Sequence, residues 1–347
     1  MFQNFWEGVT GGIAGGVTEA WANRILGPAL FFWGGGAFIW ATTYAQTYGW
    51  NELFKLLTSM DTTQSVMLLF AFFLLLNLSD LVIEWLTLPI LRFLEGYWPT
   101  WIARHFIGWK RSKLRTLRQK RRTLRLRQRW HLLDQKRRTG TLSAAEQQLY
   151  DRLGNQQLTD EDKRNPVTSE EINKVELQDA RYPVDERNLL PTPLGNILRT
   201  AEEYPYVKYG LETTTVWPRL WLLLPTETQQ EISIARQQLD LAARFLAWGI
   251  LFNLWRFATW WPVPVAIAIM VMLLAYNRML HTARVYGDLL RATFDLHRFK
   301  LYHALHWQLP ADSQAELESG QALTQYISQR QAQNVTIFHH ASTPELE

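Results

Sequence analysis

The stretch SVMLLFAFFLLLNLSDLVIEWLTLPI, residues 65–90, decides the fold. Residues 66–76 hold no polar side chain at all. An apolar run of about 20 residues crosses the ~30 Å hydrocarbon layer as a helix, because a helix satisfies its own backbone groups where no water can. The second half admits Asn77, Asp80, Glu84 and Thr87. Their i, i+3, i+7, i+10 spacing places all four on one helix face. A carboxylate at bilayer depth costs ~3 kcal/mol on insertion scales, so such a face turns to a bundle interior, a pore or a partner.

Working outward, residues 26–48 form another span, with no charge between Arg24 and Glu52. Gly34, Gly35 and Gly36 within it suit close helix packing or a kink. A short polar connection, 49–64, joins the two spans into a first transmembrane hairpin, 26–100. Residues 1–25 precede it as an amphipathic or interfacial segment, with Gly11, Gly12, Gly15 and Gly16 at the spacing that lets helices approach. The second apolar block, 241–280, is broken by WWPVP at 260–264, because Pro262 and Pro264 cannot continue a helix. It reads as a second hairpin with spans at 241–260 and 263–280.

Arg92, Arg244, Asn253 and Arg256 are the candidate intramembrane partners for the acidic face, and Arg244 shares the expected depth of Glu84. The last span runs on without a breaker to Trp307 and opens a stalk and tail, 281–347. Apolar positions 285, 289, 292, 296 and 299 predict a packed stripe along the stalk.

The fold class expected is therefore an all-α polytopic membrane protein. It has about four transmembrane helices in two hairpins, long cytoplasmic helices and a small mixed cytoplasmic region, 139–240. Loops 49–64 and 260–264 hold one Lys and no Arg, whereas the segments after the second and fourth spans are rich in both. The positive-inside rule then puts both termini in the cytoplasm. The expected setting is a bacterial-type inner (plasma) membrane.

The juxtamembrane segment 101–138 is strongly basic, with fifteen Lys or Arg against the single acid Asp134. One reading gives it to the anionic leaflet, through Lys110, Arg111, Lys113, Arg115, Arg118, Lys120, Arg121, Arg122 and Arg125. Trp98, Trp101 and Trp109 would anchor that contact, and Trp217 and Trp221 of the aromatic segment 194–225 would add to it. For that aromatic segment a packed core is the equal alternative. A second reading of the basic segment pairs it with the chain's own acids, since residues 144–187 carry eleven acids and six bases. Nucleic acid is disfavoured, because no aromatic interleaves the arginines between 110 and 129.

The absence of cysteine excludes disulfides, thiolate metal sites and thiol catalysis. GGIAGG at 11–16 lacks the Lys and Ser/Thr of a phosphate loop. Asp160, Asp162 and Glu171 fit three positions of a calcium loop, but Asn165 stands where glycine is required. His303 and His306 are i, i+3, while His297 lies off their face. No catalytic constellation, cofactor or metal is expected. The expected function is a homo-oligomeric channel or transport-type assembly, with span two lining an axis where Asp80 and Glu84 attract cations. The alternative is a non-catalytic membrane-anchored scaffold or signalling component that recruits a cytoplasmic protein partner.

Overall fold

The computed structural model describes residues 27–156, 158–257 and 262–329. The expected interfacial segment 1–25, residues 258–261 with the start of the expected turn, and the end of the tail lie outside that range. Among the described residues every regular element is helical and none is a strand. The described chain divides into two compact units. One comprises residues up to Glu95 and from Ala201 on, and the other is Gly96–Thr200.

In the first unit, α1 (Pro28–Tyr48) starts on a proline whose fixed φ suits the first helical turn. Its end is Gly49 (φ 92°), which donates its N–H to the Ala45 carbonyl at 2.8 Å. The expected loop 49–64 is instead mostly helix, α2 (Trp50–Thr58), because Leu53 is buried and pulls one face of the segment down. Helix α3 (Thr62–Glu95) is 34 residues long and carries Pro89 within it. Only 17% of its most apolar window is buried inside the protein, and Leu69 and Trp85 stand 66% and 74% exposed. So uncovered an apolar surface suits lipid better than water.

Two of the described helices are long and apolar enough to cross a membrane, Thr62–Glu95 and Val265–Ala304. The other two expected spans are not among them, for different reasons. Small and hydroxyl-bearing residues dilute α1. The described part of the expected span 241–260 is not a helix of its own but the end of α10 (Thr226–Phe252), followed by a 3-10 turn at Asn253–Phe257. That helix starts at Pro225 because no breaker interrupts the polar residues 226–240, most of them good helix formers. Helix α11 (Pro262–Ala304) holds the second spanning segment.

Close packing joins α1, α3 and α10. Ala29, Phe32, Leu76, Ile83 and Trp248 form a buried cluster, with Trp33, Phe252 and Trp255 around it. A Cβ on Gly35 would sit 2.8 Å from the Phe252 ring, and one on Gly36 would collide with Trp255, so these glycines serve approach rather than a kink. Beyond Pro193 come α8 (Pro193–Tyr209), α9 (Thr213–Leu222) and, after α11, α12 (Ser313–Ser328). Trp217 (0% exposed) and Trp221 (4%) are core residues, so they are not interfacial anchors. Trp217 packs against Phe294 with ring centroids 5.8 Å apart.

The stalk stripe is also corrected. Met279, Ala283, Tyr286, Leu290 and Phe294 are the buried face of α11, whereas Val285, Leu296 and Phe299 are exposed. The partners of the helix set its buried phase: α10 packs along it, and Trp217 of α9 meets Phe294.

In the second unit, α4 (Thr100–Arg138) is the long basic helix, 39 residues without interruption. Its partners α5 (Ala144–Gln156), α6 (Asp160–Arg164) and α7 (Ser169–Asp179) return along it. Thr168 caps α7 by accepting the Glu171 N–H, and Leu124 packs on Ile172 and Val175.

Candidate functional site: the polar seam of α3 and α10

Four-residue steps carry the site. On α3 the positions 76, 80, 83, 87, 91 and 95 are buried, a continuous stripe that includes Asp80 (5% exposed), Thr87 and Glu95 (5%). On α10 Arg236, Asp240 and Arg244 follow one another at i, i+4, i+8, so one face of that helix is ionic. The two helices run antiparallel: Glu84 meets Arg244, and Glu95, further along α3, comes within electrostatic reach of Arg236, earlier on α10.

Glu84 Oε1 accepts a hydrogen bond from Arg244 Nη2 at 3.3 Å, with the two side chains 37% and 25% exposed. Asn77 turns back and donates to the Phe73 carbonyl at 2.8 Å, and Thr87 donates to the Ile83 carbonyl at 2.8 Å. Both therefore satisfy themselves within α3 rather than reaching across. Asn253 donates to the Gly249 carbonyl at 3.1 Å. The Arg256 side chain lies outside the described residues. Arg92 belongs to the far end of the seam, where it acts electrostatically on Glu95.

The seam contains groups that the sequence reading passed over. Glu95, Arg236 and Asp240 belong to it. The signal was present: 95 continues the series 80, 84, 87, 91 in helical steps, and 236 and 240 precede 244 at intervals of four. Arg236 (6% exposed) lies 3.3 Å from Asp240 through Nε, without the alignment of a hydrogen bond. Beside the seam, an apolar cavity of about 310 Å³ is lined by Phe31, Phe245, Trp248, Gly249 and Ile267.

Elsewhere in the first unit, Asp295 accepts hydrogen bonds from Tyr204 (3.0 Å), Lys208 (3.2 Å) and Tyr209. Burial, then the bond to Asp295, pushes the Tyr209 hydroxyl up to about 12. This cluster ties α8 to α11.

The basic helix spends much of its charge inside its own unit. Arg111 and Arg115 reach Glu186 at 3.8 and 3.1 Å, Arg118 reaches Asp179 at 3.2 Å, and Arg121 also binds Asp179. Arg125 pairs with Glu176 at 2.7 Å and Lys120 with Glu171 at 3.9 Å. Lys110 is buried, and that burial, with Lys113 nearby, lowers it to about 8. Seven of the nine residues expected to bind headgroups are thus engaged or covered, because the acids of 171–186 fold back onto α4. Lys113, 5.6 Å over the Trp109 ring, and exposed Arg122 form no ion pair among the described residues. Trp101 (72%) and Trp109 (66%) stand exposed, while Trp98 is half-buried against Phe106. Among the described residues no cluster of three or more acids or histidines could hold a metal.

The chain matches no protein-family model, no curated protein and no solved structure, so function is read from the residues themselves.

Proposed function

We propose that this is a four-pass membrane protein of transport type, with both termini in the cytoplasm. The α3–α10 seam inside each subunit would carry protons or small cations. The observation that carries the reading is the Glu84–Arg244 pair, set beside buried Asp80 in stretches expected at bilayer depth. Ionisable groups there are costly, and transporters place them where charge must pass. The seam replaces the ring of acids around a shared axis. Asp80 is covered within one subunit, and Glu84 is held by an arginine of the same chain.

Flux of protons and monovalent cations in liposomes tests the proposal. The wild type is expected to conduct, and Asp80→Asn with Glu84→Gln to lose at least tenfold. Equal flux in both, or none in either, would sink the transport reading.

A second reading, a membrane-anchored scaffold, is favoured by one feature, the basic arm whose surplus charge sits beside exposed Trp101 and Trp109. Residues 96–200 carry 22 Lys or Arg against 12 acids, so positive charge remains after the internal pairs. Such a surface suits anionic headgroups or an acidic protein partner.

A further inference from the structure

Glu95 is the last residue of α3 and is 5% exposed. Gly96 follows with φ +97°, so the helix stops there and the Glu95 carboxyl is fixed at its carboxyl terminus. That position is the negative end of the helix dipole, which disfavours a carboxylate. Burial disfavours it further, because the charged form loses its hydration.

Among the described residues, the charged groups that act on Glu95 come from three helices. Arg92 lies on its own helix, Arg236 and Asp240 on α10, and Glu202 on α8. Tyr286 of α11 acts on Arg236 from the other side. Two arginines favour the ionised form of Glu95, whereas Asp240 and Glu202 oppose it. Buried Arg236 is drawn towards half-buried Asp240 at 3.3 Å, so its charge is shared rather than devoted to Glu95.

We infer that Glu95 is a proton-binding site: a buried carboxyl at the end of α3, balanced between Arg92 and Arg236 on one side and Asp240 and Glu202 on the other. Loading adds one proton from water to a carboxylate oxygen, and unloading returns it. The inference deepens the transport proposal by naming the proton as the ligand of the same seam, and it rests on that reading only for its purpose.

The test is infrared spectroscopy on the purified full chain in nanodiscs. Near pH 7 exposed carboxylates are fully ionised, since their ordinary pKa is about 4. Any protonated-carboxyl band then belongs to a buried group. The wild type is expected to show one such band that fades as pH rises by about two units, the span of one titration. Glu95→Gln should remove the band, and Glu95→Asp should keep it at a shifted frequency, which covers the case in which the glutamine variant fails to fold. A band unchanged in Glu95→Gln, or no band in the wild type between about pH 5 and 8, would overturn the site. Flux plays no part in this readout. A band lost in Glu95→Gln from a protein that conducts nothing would retain the proton site and sink transport alone.

Discussion

Lys110 shows how burial alone can write a pH dependence into stability. Folding lowers it from 10.5 to about 8, mainly by taking the ammonium out of water. Between those values the unfolded chain binds more protons than the folded one. Stability from this group therefore rises with pH from about 8 to 10.5 and carries its full penalty below that window. Lys110→Met should raise the unfolding midpoint at pH 7 by a few degrees and flatten its climb between pH 8 and 10. Thermal unfolding across that range checks both outcomes. The same accounting explains why a basic segment need not be a basic surface. Among nine neighbouring cations, one is buried and six face acids of their own unit.

At the scale of elements, α4 and α7 are clasped by Asp179, which takes Arg118 at 3.2 Å and Arg121 besides, and is 7% exposed. Asp179→Asn leaves two guanidinium groups without their counter-ion and should cost ~2–3 kcal/mol. Arg122→Gln, on an exposed and unbridged residue, should stay within about 0.5 kcal/mol. Hydrogen exchange along α4, read with the thermal midpoint, separates the two. The clasp was half-legible: the acid-rich composition of 144–187 announced it, but pairing along a helix needs the return path of the chain, which spacing alone does not fix.

Other elements follow the same logic. The start of α1 was readable from the apolar run that opens at 26, whereas α3 continues past the expected end at 90, through Pro89 to Glu95. Helix α2 was hidden because 49–64 looked polar as a whole, although buried Leu53 marks its inner side. Helix α10 was started too late because hydropathy marks where a helix becomes apolar, not where it begins. On α11, Val285 and Leu296 are as apolar as Leu290 and Phe294. The helices packed on α11 select the latter pair for burial, as where Trp217 meets Phe294. Half of the polar seam was legible, since Glu84 and Arg244 were matched by depth. Arg236 and Asp240 escaped because they lie before the apolar run that drew attention to α10.

For the whole molecule, the proposed crossing number has a direct check that its composition makes simple. The chain contains no cysteine, so any single cysteine introduced is the sole thiol. Cysteines placed at Ser59 and at Arg122 should label with an impermeant maleimide from opposite sides of inside-out and right-side-out vesicles. Labelling of both positions from one side would refute the proposed first hairpin. The proposal divides labour along the chain: α3 and α11 meet lipid, the seam holds charge away from it, and the arm keeps an excess of 22 bases over 12 acids in 96–200.

The length of α3 carries a consequence of its own. Its apolar part, 65–90, measures about 39 Å at 1.5 Å per residue, against ~30 Å of hydrocarbon. As the proposed span it holds a surplus of about 9 Å, which must be taken up by leaning or by thickening the surrounding lipid. Because Glu84 is fixed to α3 and Arg244 to α10, any change in lean carries that ion pair to a new depth. On that proposal, bilayer thickness would set how far the Glu84–Arg244 pair sits from the headgroups.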